Sequence, residues 1–194
     1  MQIHNVKRAK CIVLSIFTFL MAFFVTSCSA STMNITCCSS ALDAEQMTAS
    51  LWTLAEQTNG LPSSEQALSF SSIIMGSGET QDAKLQDSIG QNQFAAMITA
   101  QEIDLIFCTL DKDDLLAKFD SFMGLDQIFT ADELNQLADR TIFFQTSPVP
   151  YGIILTNIEP LTNIFGNMPV GVFLAENCSN PDWAKSMIRS LVLE

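Results

Sequence analysis

The sequence predicts an α/β domain with a mostly parallel central sheet flanked by helices. Three observations carry that expectation. Ile103, Leu105, Ile106 and Phe107 form a short apolar run, bounded by Glu102 and by Asp111, Asp113 and Asp114. A strand covered on both faces reads this way, and the early acidic boundary favours strand over buried helix. Upstream, Phe94, Met97 and Ile98 recur at helical spacing among Ala95, Ala96 and Ala100, which favour helix. Helix, buried strand and then a further helix is the order of a βαβ unit.

The 194 residues suffice for one domain with a real core, and 48% are hydrophobic, which excludes a disordered chain. Lys7, Arg8 and Lys10 sit near the start, ahead of every acidic residue. Beyond them, six basic residues face 21 acidic ones, a balance of −15. Such a surface repels phosphate backbones, so nucleic acid is excluded as a partner.

The basic residues precede an apolar run from Cys11 to Val25. As a helix it spans about 23 Å, short of the roughly 30 Å hydrocarbon core of a bilayer. A basic segment followed by a short apolar one describes an export signal. The run ends in Val25-Thr26-Ser27-Cys28, which resembles the lipobox of bacterial lipoproteins. That resemblance implies a signal peptide over 1–27, with Cys28 lipidated by diacylation and palmitate, and a cell-envelope location outside the cytoplasmic membrane. An uncleaved signal anchor is the alternative, and it places the rest of the chain on the same side. Residues 28–33 then serve as a tether and 34–194 as one domain.

Within the domain, 34–38 reads as a first strand. Asp43 caps a helix with Gln46 three residues on, and Leu42 and Met47 are placed to staple its start. Met47, Leu51, Leu54 and Ala55 line one face of that helix, and Asn59-Gly60 ends it. A loop with Pro62 leads to a second strand over 68–75 and a turn at Gly76-Ser77-Gly78. Thr80 or Glu79 caps the next helix, which Gly90 interrupts. The central strand over 102–110 follows, then a short acidic helix over 111–119 and an apolar loop over 121–129. Thr130 and Glu133 form a capping box. Strands are expected over 141–145 and 151–156, separated by Pro148 and Pro150, where ladder pairing stops. A short helix over 160–165, a last strand over 168–175 and a final helix after Asn180-Pro181 complete the order. Ala184, Met187, Ile188, Leu191 and Val192 form the apolar stripe of that helix.

Three phrases carry a further resemblance. They are Ile103-Asp104-Leu105-Ile106, Met123-Gly124-Leu125-Asp126-Gln127-Ile128-Phe129 before a capped helix, and Val170-Gly171-Val172-Phe173-Leu174-Ala175 leading through Asn177-Cys178-Ser179-Asn180 into a helix. Their order resembles bacterial extracellular solute-binding (periplasmic-binding-protein-like) lipoproteins. The resemblance implies one lobe of a type II fold and binding of a small polar solute. Family members are commonly two-lobed and hold ligand between the lobes. Here only the turn at 147–151 stands where the chain would cross into a second lobe. That departure leaves a second expectation open, a structural or interaction lobe docking onto an envelope protein.

Catalysis is not expected. The only histidine is His4, in the leader, so Ser-His-Asp and Cys-His arrangements are absent from the domain, along with the commonest metal ligand. Cys37, Cys38, Cys108 and Cys178 lack CxxC spacing, so no metal or cofactor is expected. Buried thiols are the simpler reading, and a bridge from Cys37 or Cys38 to Cys108 is the alternative. Asp111, Asp113 and Asp114 lack the glycine and glutamate of a calcium loop. A ligand site in this fold class sits at the carboxyl ends of the parallel strands. That collects Ser39, Ser40, Ser77, Gly78, Thr109 and Asp111, with Tyr151 nearby, whose hydroxyls and backbone N–H groups suit a small polar or anionic group.

Overall fold

The computed structural model describes residues 31–59, 66–119, 121–144 and 147–193. The segment expected to be an export signal, Cys28, the loop with Gly60 and Pro62, and Gln145 lie outside the described residues. Six strands form one sheet: β1 (Ser31–Ser39), β2 (Gln66–Ile74), β3 (Leu105–Thr109), β4 (Thr141–Phe143), β5 (Pro150–Leu155) and β6 (Val170–Leu174). Their spatial order is β2-β1-β3-β6-β5-β4. The helices are α1 (Ala44–Asn59), α2 (Gln81–Thr99), α3 (Asp113–Leu116), α4 (Ala131–Gln136), α5 (Glu159–Phe165) and α6 (Pro181–Leu193).

The α/β architecture is as expected, and every residue of β3 is buried in the sheet interior. The mostly parallel sheet is not. β1 pairs in parallel with β2 and β3, but β3–β6, β6–β5 and β5–β4 are antiparallel. Burial explains the misreading. Helices cover both faces, so Val170–Leu174 is buried at every position despite its antiparallel pairing. A continuous apolar run reports two covered faces and carries no information about strand direction.

Side-chain alternation divides the core into two layers. Met33, Ile35 and Cys37 of β1 join Leu105 and Phe107 of β3 beneath α1, α5 and α6. Cys38, Ile106 and Cys108 point the other way, towards Phe94 of α2 and Leu115 and Leu116 of α3. α1, α5 and α6 therefore lie on one face, and α2 and α3 on the other.

Local signals set the helix ends. Asp43 accepts from the Gln46 N–H at 2.8 Å, and Thr80 accepts from the Ala83 N–H at 3.2 Å. Thr130 and Glu133 make the full reciprocal capping box. Gly90 does not divide α2, which runs unbroken. A Cβ at Gly90 would stand 2.5 Å from the Ile74 carbonyl oxygen, so the glycine lets α2 lie close on β2. The first strand begins at Ser31, so part of the expected tether belongs to the sheet. The acidic helix is shorter than expected, a 3₁₀ turn at Leu110–Lys112 followed by α3. The four domain cysteines are thiols, with no bridge among them. Cys38 and Cys108 are register partners, while Cys37 faces the opposite layer.

Candidate functional site

The order β2-β1-β3 places a topological switch point between β1 and β3. The chain leaves β1 towards α1 on one face and leaves β3 towards α3 on the other. The two connections diverge, and open α/β sheets place ligands at such a point, outside the carboxyl ends of the strands.

Ser39 closes β1 and Thr109 closes β3. They stand one step beyond the last register pair, Cys38 and Cys108. Alternation puts both side chains on the α1 face. Ser39 is fully buried and Thr109 is 2% exposed. Neither Ser39 Oγ nor Thr109 Oγ1 has a hydrogen-bond partner. A buried hydroxyl left unsatisfied costs about 1–3 kcal/mol, so two of them at the ends of neighbouring strands are an expensive feature for a core.

Other expected residues share this edge. Ser40 follows β1 and is half-buried, while Ser77 and Gly78 are exposed in the turn after β2, where Gly78 has φ 102°. Asp111 lies in the 3₁₀ turn after β3, with its carboxylate 3.7 Å from Lys112 Nζ. Lys112 is largely buried; its ammonium donates to the Gly76 carbonyl at 2.7 Å and lies 3.5 Å from Asp87. Lys84, in the first turn of α2, pairs with Glu79 at 2.8 Å. Both of these cations are therefore engaged.

Tyr151 is not part of the group. It is the second residue of β5, which runs parallel to β3, so it sits near the amino end of β3, opposite the carboxyl ends of β1 and β3. Its ring stacks on Phe144 at 5.0 Å, and Phe144 stacks on Phe173 at 6.1 Å. Tyr151 is a packing residue of the second layer.

Two features escaped the sequence. The first is a cavity of about 210 Å³ at the carboxyl end of β5, lined by Leu155, Thr156, Asn157, Thr162, Asn167 and Val170 among others. It carries no charged side chain and lies on the same edge, because Val170 is the register partner of Thr109. Asn157 has φ 60°, and an asparagine just past an apolar run was the available turn signal. The second is Asp104, 6% exposed at the amino end of β3. Its carboxylate accepts from the Asn34 N–H at 2.6 Å and the Ser179 N–H at 2.5 Å. It joins β1 to the loop before α6. A lone acidic residue between Ile103 and Leu105 was the signal for it. Burial, opposed by the Asn180 N–H and reinforced by Asp104, pushes the nearby Cys178 thiol up to about 12. Burial, with the Cys108 thiol adding, raises the Cys37 thiol further still. Neither is a nucleophile at neutral pH.

Among the described residues no group of acidic, cysteine or histidine side chains is placed to hold a metal ion, and no helix is long and apolar enough to cross a membrane. No protein-family model matches the chain, and no curated protein or solved structure is significantly similar to it.

Proposed function

We propose that the chain is an extracytoplasmic lipoprotein, tethered to the bacterial membrane through a lipid on Cys28, whose domain binds a small uncharged polar solute. The tether rests on the basic segment, the short apolar run and Val25-Thr26-Ser27-Cys28. The binding role rests on one observation above the others: the unpartnered, buried hydroxyls of Ser39 and Thr109 at the β1/β3 switch point. A solute with hydroxyl or amide groups would satisfy both. The engagement of Lys84 and Lys112 and the acidity of the chain disfavour an anion. In this reading the domain is a single lobe of the periplasmic-binding-protein-like type II kind, and it performs no catalysis.

Two measurements test the proposal. Palmitate labelling of the full-length protein in membranes should be lost in Cys28→Ala; labelling that persists removes the tether. Thermal shift of the purified protein against sugars, polyols, amino acids and small amides should find a stabilising class. No shift across the panel removes solute capture and leaves the alternative, a lobe that docks onto an envelope protein.

A further inference from the structure

The connection from β5 to β6 forms the cavity of about 210 Å³, and every residue that lines it falls between Leu155 and Val170. Leu155, Leu161 and Val170 are buried and supply its apolar lining. Asn157, Thr162 and Asn167 are exposed and bring carboxamides and a hydroxyl to it. No charged side chain takes part. Two grooves elsewhere differ in this: Asp182, Lys185 and Arg189 line one, and Glu159 lines the other.

The segment holds its own shape. The Thr162 N–H donates to the Ile158 carbonyl at 2.9 Å, and the Gly166 N–H donates to the Thr162 carbonyl at 2.8 Å. The Leu110 N–H donates to the Pro169 carbonyl at 3.2 Å, which ties the end of the connection to the residue after Thr109. A site set by backbone bonds is formed before its ligand arrives, so little ordering entropy opposes binding. Two of its residues have positive φ, Gly166 at 65° and Asn157 at 60°. Asparagine tolerates that conformation and, unlike glycine, adds a carboxamide.

The lining selects a class of ligand. A carboxamide both donates and accepts, and a hydroxyl answers both roles. A neutral lining offers an ion no counter-charge for its lost hydration. The buried leucines and valine suit the C–H face of a short carbon skeleton. The volume is below the roughly 300–1,000 Å³ of sites for drug-sized ligands, which limits the ligand to a smaller molecule.

We propose that this cavity binds a small neutral polyol, with Asn157 and Asn167 holding its hydroxyl groups against Leu155, Leu161 and Val170. The site rests on the solute-binding reading above, and adds to it the class of solute and two residues beyond Ser39 and Thr109. Val170 is the register partner of both Thr109 and Leu155, so β6 alone separates Thr109 from the β5 side of the cavity.

The test is a titration of the isotope-labelled full-length protein, in non-ionic detergent, with glycerol, erythritol, glucose and glucuronate, followed by amide NMR. At least one of the three neutral probes should shift the signals of Asn157, Gly166 and Asn167 saturably, and glucuronate should not. Asn157→Gly, which suits the left-handed backbone, and Asn167→Ala should each weaken that binding about fivefold, the worth of one neutral hydrogen bond. Saturable shifts confined to the surroundings of Ser39 and Thr109 overturn the cavity and leave the solute reading standing. So does silence from all three neutral probes when the thermal-shift panel finds an amide or amino acid. Silence from the probes and the panel together overturns both. An equal response to glucuronate, or unchanged affinity in either variant, also overturns the assignment.

Discussion

Replacing Thr109 by valine separates a binding residue from a packing residue. The substitution keeps the β-branched shape and exchanges the hydroxyl for a methyl group. Thr109 is 2% exposed and its hydroxyl has no partner, so the change removes a desolvated polar atom and breaks no bond within the protein. The unsatisfied hydroxyl costs about 1–3 kcal/mol, and the valine variant should recover a large part of it. For a domain of this size each kcal/mol moves Tm by about 2–4 °C. The expected outcome is a Tm raised by about 2–10 °C, read by differential scanning calorimetry on ligand-free protein. The same variant should bind any solute found by the thermal-shift panel about fivefold more weakly, the worth of one neutral hydrogen bond of about 1 kcal/mol. Stability and affinity should thus move in opposite directions. A Tm that falls by several degrees would refute the reasoning, since it would mean that the folded state uses the hydroxyl. A higher Tm with unchanged affinity would remove Thr109 from the site.

Other positions give independent checks. Asp104→Ala removes a buried carboxylate that accepts two backbone N–H bonds; at about 1.5–3 kcal/mol for each charge-assisted bond, urea denaturation should show a loss of about 3–6 kcal/mol. Gly90→Ala favours helix by about 1 kcal/mol locally, yet its Cβ would stand 2.5 Å from the Ile74 carbonyl oxygen, so the variant should be less stable because α2 must move off β2. Glu133 is held down at about 2 first by its hydrogen bonds to Arg189 and then by the Thr130 N–H. A lowered carboxylate stabilises the fold above its unfolded value of 4.5 and loses that contribution as pH falls through about 2; Arg189→Ala should return its NMR titration towards the ordinary range. Cys37, Cys38 and Cys108 are buried, and burial raises both Cys37 and Cys178; native protein should resist iodoacetamide at pH 8, whereas protein unfolded in urea should be alkylated at all four domain cysteines.

The elements legible in the sequence were those fixed by neighbours along the chain. Asp43, Thr80 and Thr130 accept backbone N–H groups three residues on, within reach of a single turn. Ala184, Met187, Ile188 and Val192 bury one stripe of α6 because helical spacing aligns them. β3 was legible because acidic residues bounded an apolar run. Much of the candidate site could also be read: Ser39, Ser40, Ser77, Gly78, Thr109 and Asp111 do share one edge, since each ends or follows a strand of the parallel half.

Only the tertiary structure decided strand direction, register and burial of polar atoms. β6 inserts antiparallel between β3 and β5, and nothing in Val170–Leu174 marks that, because both faces are covered whichever way the strand runs. The order of strands put Tyr151 near the amino end of β3, and Asp104 became a clamp only when Asn34 and Ser179, distant in sequence, came to it. The same holds for Ser39 and Thr109. The sequence by itself determined that two hydroxyl residues end two strands. That they end neighbouring strands at a switch point, buried and unpartnered, depends on β1 and β3 being neighbours, and pairing between segments some 70 residues apart is a property of the whole chain, not of any window along it.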